Sequence, residues 1–137
     1  MAEAARPGGA YGASGAASGA VGDGAVLERA VVEAARRDRQ ARAALRESGG
    51  AAGRADHMTA VDRDHVPLVR RVLANLGWPT EPGWARSSIE AFWLLVQHCP
   101  DDELQERALV ALRRACREGR GDPVQLAYLT DRVLVRR

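Results

Sequence analysis

An all-α fold, about five helices in an irregular bundle, is predicted by three features of the chain. Apolar residues recur at spacings of three and four from Leu27 onward, the period of a helix with one buried face. Helix start and stop signals punctuate that pattern, among them Ser87 with Glu90, Asp122 with Pro123, Gly77 and Pro100. No alternating run is long enough to read as a strand.

Residues 1–24 are mostly Gly, Ala and Ser. They bury too little apolar area to offset backbone entropy, so a disordered tail is expected there, followed by one helical domain over residues 25–137. The first helix should span Ala25 to Arg46, with Leu27, Val31, Ala34 and Ala35 inward and Ser48-Gly49-Gly50 ending it. Residues 48–60 read as a flexible connection. A second helix starts near Asp62 or Asp64, with Asp64 the better cap because Pro67 then falls in the first turn. Its stripe is Val66, Val69, Val72, Leu73 and Leu76, and Gly77 stops it. The loop WPTEPGWAR should be rigid and packed through its prolines and tryptophans.

Ser87 and Glu90 form a capping-box pattern for the third helix, whose Ile89, Phe92, Trp93 and Val96 predict the most buried segment. Pro100 ends it. Asp101 caps a fourth helix with Leu104, Ala108, Leu112 and Ala115 on one face. Asp122 and Pro123 open a fifth, facing inward through Leu126, Leu129 and Val133.

Composition removes several chemistries. All 20 basic side chains are arginine, a bias that fits a high-GC genome. Without lysine the chain forms no Schiff base and has no Walker-type phosphate lysine. Glycines in the first 24 residues follow no strand, so they are no dinucleotide fingerprint, and no cofactor motif is present. The net charge is only +2, with acids interspersed among the arginines, which argues against nucleic acid as a partner. The basic end RVLVRR reads as solvated or paired with the last helix dipole. Cys99 and Cys116 should lie roughly 22 Å apart along a helix, so both are expected as free thiols in a reducing compartment. No apolar stretch spans a membrane and no secretory signal begins the chain, which makes the cytoplasm the expected location.

The order NLGWPT, AFWLLVQHC, LQERAL and LAYLTDRV, preceded by RRDRQARAAL, resembles the uncharacterised bacterial family known as domain of unknown function 6624, over roughly residues 25–135. The resemblance implies a small helical protein with an unusually polar signature and no assigned activity. The signature positions are Asp38, Gln40, Arg42, Gln97, His98, Gln105, Asp131 and Arg132. The chain departs from the pattern at Ala85, where glycine is usual, at Cys99-Pro100, where the family reads Ala-Asp, and at His65, where asparagine is common. It also lacks the family's C-terminal Tyr-Gly-Thr-Gln motif, so any wall of a site built from that motif is lost or comes from a neighbouring chain.

These residues set the candidate site. His98 and Asp38 are the candidate catalytic pair. Arg42, Gln97, Gln105, Asp131, Arg132, Trp78 and Trp93 are the candidate substrate-binding residues. A histidine in a last helical turn also suits the helix dipole and terminal carbonyls, the simpler role for His98. Asp38 and Arg42, four apart with the acid first, suit an ion pair; beside His98 the guanidinium would hold a carboxylate or phosphate. Asp131 and Arg132 are neighbours pointing different ways, so one lines the site while the other braces it. His57, His65 and His98 with Asp62, Asp64, Cys99 and Asp101 supply metal-ligand types without an organising motif, and no metal is expected. Pro100 restricts the turn that would activate Cys99 as a nucleophile. Two functions fit: a domain that binds a small polar or anionic molecule, with or without transforming it, or a non-catalytic accessory protein that acts as a homodimer or with a partner enzyme.

Overall fold

The structure, a computed structural model, describes residues 22–136 in full. It is all-α, with the elements α1 (Ala2–Glu47), α2 (Ala52–Asp64), α3 (Val66–Leu76), α4 (Arg86–Gln97), α5 (Asp102–Arg117) and α6 (Pro123–Val135). The tail expected over residues 1–24 lies outside the described residues as far as residue 21. Gly22, Asp23 and Gly24 are already helical, so α1 begins before Ala25.

Leu27, Val31, Ala34 and Ala35 of α1 are buried, as their spacing requires. The small Ala34 and Ala35 side chains suit α1 for close packing, and its main partners are α4 and α2. Gly49 and Gly50 end it with φ of 68° and 84°, a backbone region that L side chains seldom enter.

The connection expected over residues 48–60 contains a helix instead. α2 buries none of its own residues, which is why no apolar stripe announces it. Its alanines favour helix, and its packing against α1 supplies the rest. α3 follows with only His65 between, and His65 itself keeps right-handed helical angles of −85° and −10°. The break falls where Pro67 has no N–H to continue the ladder. Asp64 therefore closes α2 and caps nothing.

The loop after Gly77 turns its tryptophans into the core. Trp78 and Trp84 both meet Phe92 of α4 edge-on, at ring-centroid distances of 5.1 and 6.3 Å. Phe92, Leu95 and Val96 place α4 at the centre of the molecule, against α1, α3, α5 and α6. Asp101 accepts the N–H of Leu104 and Asp122 that of Val124, so both expected caps are made.

The Ser87–Glu90 capping box is not made. α4 starts two residues earlier, on an extended Ala85. With Ala85 at the cap, Ser88 stands where a box needs an acid or amide, and the Ala85 N–H donates to the Glu28 carboxylate of α1 at 2.9 Å. A tertiary partner has replaced the local one. Among the described residues no helix is long and apolar enough to cross a membrane.

These end contacts make a measurable distinction. Asp101→Ala should cost about 1 kcal/mol in urea unfolding, the usual value of a lost cap. Ser87→Ala should stay within about 0.5 kcal/mol, as at an ordinary surface position. Equal losses would contradict this account of the two termini.

Candidate functional site

A carboxylate sits in the core of α1. Asp38 is 1% exposed, at the level of the apolar residues around it. Burying such a charge is costly unless it is paired and hydrogen-bonded, and two partners meet it. Arg42, one turn further along α1, donates through Nε to Oδ1 at 2.9 Å. His98, the residue that closes α4, brings Nδ1 to 2.8 Å from Oδ2.

Arg42 reaches a second carboxylate as well. Its terminal nitrogen lies 2.9 Å from both oxygens of Asp62 on α2, while the other faces the Met58 sulfur. One guanidinium thus ties α1 to α2 and stands beside α4. Asp38 and Asp62 together carry one negative charge more than Arg42 neutralises.

The protons follow from the distances. His98 Nδ1 is also 3.0 Å from Arg42 Nε, but it cannot accept from arginine and donate to a carboxylate at once. Asp38 only accepts when ionised, so we place the hydrogen on Nδ1, directed at Asp38, and leave Arg42 Nε–H to Oδ1. In the neutral ring Nε2 then carries the free lone pair. Burial pushes the Asp38 carboxyl upward, but the hydrogen bonds and charges of His98 and Arg42 outweigh it and hold the group below the usual aspartate value. At Asp62 burial prevails over Arg42 and the pKa is raised.

Gln105 of α5 fixes the end of α4 on which His98 stands. Its Nε2 donates to the carbonyls of Val96 at 2.7 Å, which also accepts the Cys99 N–H, and of Gln97 at 3.2 Å, both in the last turn of the helix. The simpler role read for His98, bonding those terminal carbonyls, is thereby taken by Gln105. Its own Oε1 is buried without a hydrogen-bond partner among the described residues.

Two clefts open at this cluster. The more polar, about 230 Å³, is lined by Arg42, Asp62, Gln97, His98, Cys99, Gln105, Arg132 and Arg136. The other, about 410 Å³, is lined by Trp93, Leu94, Gln97, His98, Tyr128, Asp131, Arg132 and Val135. Gln97, His98 and Arg132 belong to both and form the seam. Arg132 makes one long contact, Nε to Gln97 Oε1 at 3.5 Å, and no ion pair among the described residues. Arg136 pairs with Asp102.

Of the residues singled out from sequence, Asp38, Arg42 and His98 are in contact, and Gln97, Gln105 and Arg132 surround them. Trp93 and Asp131 line the adjoining cleft. Trp78 lies elsewhere, edge-on to Phe92 and lining cavities with Thr80, Arg107 and Arg120 rather than with His98. In sequence Asp62 signals only a helix start and a metal-ligand type. Nothing local brings it to Arg42, because α2 carries no buried stripe to show how it lies against α1.

The chain belongs to DUF6624, a family of unknown function. The family matches residues 26–137, so it takes in every residue of the cluster. No curated protein and no solved structure matches the chain.

Among the described residues of this DUF6624 member, a metal has one candidate position. Asp38, Asp62 and His98 place ligand atoms within 4.8 Å of one another. The Arg42 guanidinium already stands among them with hydrogen bonds to both acids, so a metal ion would have to displace it. Cys99 and Cys116 are free thiols. Burial raises the pKa of Cys99, which keeps it protonated and a weak nucleophile.

Two outcomes follow from these charges. Arg42→Met strands two carboxylates, one of them fully buried, and should cost about 3–5 kcal/mol in denaturant unfolding. Adding Asp62→Asn to that variant should recover part of the loss. His65 is buried with Nδ1 unpartnered among the described residues, and its pKa is lowered, first by burial and then by Arg37, against the attraction of Asp38, Asp62 and Asp64. The unfolded chain therefore takes this proton near pH 6.5, before the folded chain does, so the contribution of His65 to stability is lost as pH falls through 6.5 toward the lower folded value. Melting temperatures at pH 7.5 and 5.5 should show a smaller acid loss in His65→Asn than in the parent.

Proposed function

We propose that this DUF6624 protein binds a small polar or anionic molecule at the seam of the two clefts, with Arg132 holding the anion and His98 moving a proton on it. The observation that carries this reading is the Asp38–His98 pair, which leaves Nε2 as the unbonded ring nitrogen on a side chain that lines both clefts. In this reading Nε2 takes a proton from a bound O–H or N–H, and the Asp38 carboxylate stabilises the imidazolium that forms. Arg42 braces Asp38 and Asp62. The anion falls to Arg132, whose guanidinium is not already committed to an acid.

Inorganic phosphate is the simplest probe. Titrated into the full chain, it should shift the His98 ring and Arg132 Nε resonances in NMR spectra. Arg132→Ala should weaken binding about tenfold or more, the value of one or two charge-assisted hydrogen bonds, with the circular dichroism unchanged. Binding by Arg132→Ala at the parent affinity would sink the proposal.

The exposed apolar residues of α6 support a second reading, a non-catalytic protein that works through an interface. Val124, Tyr128, Leu134 and Val135 are each more than half exposed. Light scattering coupled to gel filtration separates the two. A dimer that Tyr128→Ser converts to monomer would favour the interface.

A further inference from the structure

Cleft lining differs on the two sides of His98, and the difference has a consequence for the ligand. The smaller cleft is walled by charged and amide groups. The larger one adds Trp93, Leu94, Tyr128 and Val135 to the seam residues, with Asp131 as its one acid. Trp93 is fixed there, with Nε1 donating to the Gln125 carbonyl at 3.3 Å and its ring edge-on to Tyr128 at 6.1 Å. Tyr128 and Val135 remain 62% and 76% exposed, apolar surface that the fold itself does not cover. A fully solvated ion would leave this wall unused.

Arg132 decides how such a wall would be used. It belongs to both clefts and has no ion pair among the described residues, so one anionic group bound there sits at the boundary between the polar and the apolar side. A molecule anchored at that point has its remainder beside Trp93 and Tyr128 or beside Gln105 and Asp62. The second direction meets crowded charge, since Arg42 already engages Asp62. The first meets the exposed aromatic and aliphatic wall of a cleft of about 410 Å³, room for a ring or a short alkyl chain.

We infer that the ligand class is an amphiphilic anion, a carboxylate or phosphate ester carrying an aryl or alkyl group, whose anionic end rests on Arg132 beside His98 and whose apolar body lies against Trp93, Tyr128 and Val135. This rests on the reading of Arg132 and His98 given above and narrows it to one chemical class. The apolar body contributes by leaving water, and the anion supplies orientation.

Phenyl phosphate, benzoate, inorganic phosphate and benzyl alcohol separate the contributions when titrated into the full chain and followed by NMR at His98 and Arg132. Phenyl phosphate should bind roughly tenfold more tightly than inorganic phosphate and than benzyl alcohol, as expected for adding a buried ring to a charge contact. Benzoate distinguishes a carboxylate anchor from a phosphate one. Tyr128→Ser combined with Val135→Ser, both exposed positions, should bring phenyl phosphate down to the level of inorganic phosphate and leave the latter unchanged. Equal affinity of the aryl and inorganic ions, or an aryl advantage that survives the double substitution, overturns the inference while leaving the anion site in place. If neither inorganic phosphate nor either aryl anion perturbs His98, the site and the inference fall together.

Discussion

The structure turns on one charge buried where the packing wants a methyl group. Asp38 occupies an inward position of α1, between the alanines that seat the helix and the end of α4. A carboxylate there persists only with partners of opposite charge or donated hydrogens. Arg42 and His98 provide them from two elements, and Arg42 extends the arrangement to Asp62 on a third. The relative placement of α1, α2 and α4 is therefore set by directional bonds as well as by apolar contact. Apolar packing tolerates sliding; a bidentate guanidinium contact does not.

Much of this framework was legible in the residues. Spacings of three and four gave the inward faces of α1, α3, α4, α5 and α6, because a helix that packs on one side must repeat its apolar residues near that period. Asp101 and Asp122 were readable as caps because their partners lie two or three residues away. Ser87 and Glu90 mislead for the opposite reason: the helix begins on Ala85, whose N–H is held by Glu28, 57 positions distant in the chain. α2 escaped notice because it buries nothing and is held in place by a neighbour. Local signals predict local bonds, and the exceptions are those where a remote group competes.

The same distinction runs through the site. Asp38 and Arg42 announced an ion pair by their spacing, and the resemblance to DUF6624 grouped them with His98, Gln97, Gln105 and Arg132. No property of the sequence by itself joins Asp62 to them, since that depends on how a helix without an apolar stripe lies against α1. Trp78 shows the reverse error. A tryptophan beside prolines suggests an aromatic wall, yet its edge-on contact with Phe92 holds it within the core, whereas Trp93, on the rim of α4, lines the cleft.

The bond between His98 and Asp38 joins groups 60 positions apart in the chain, and Arg42 with Asp62 closes a further loop of 20. Loop-closure entropy must be met before either contact returns any enthalpy. Helices α4 and α5, whose own bonds are local, gain structure without that debt. A cut between α1 and α4 would turn the Asp38–His98 contact from an intramolecular into a bimolecular one, so its strength would come to depend on protein concentration.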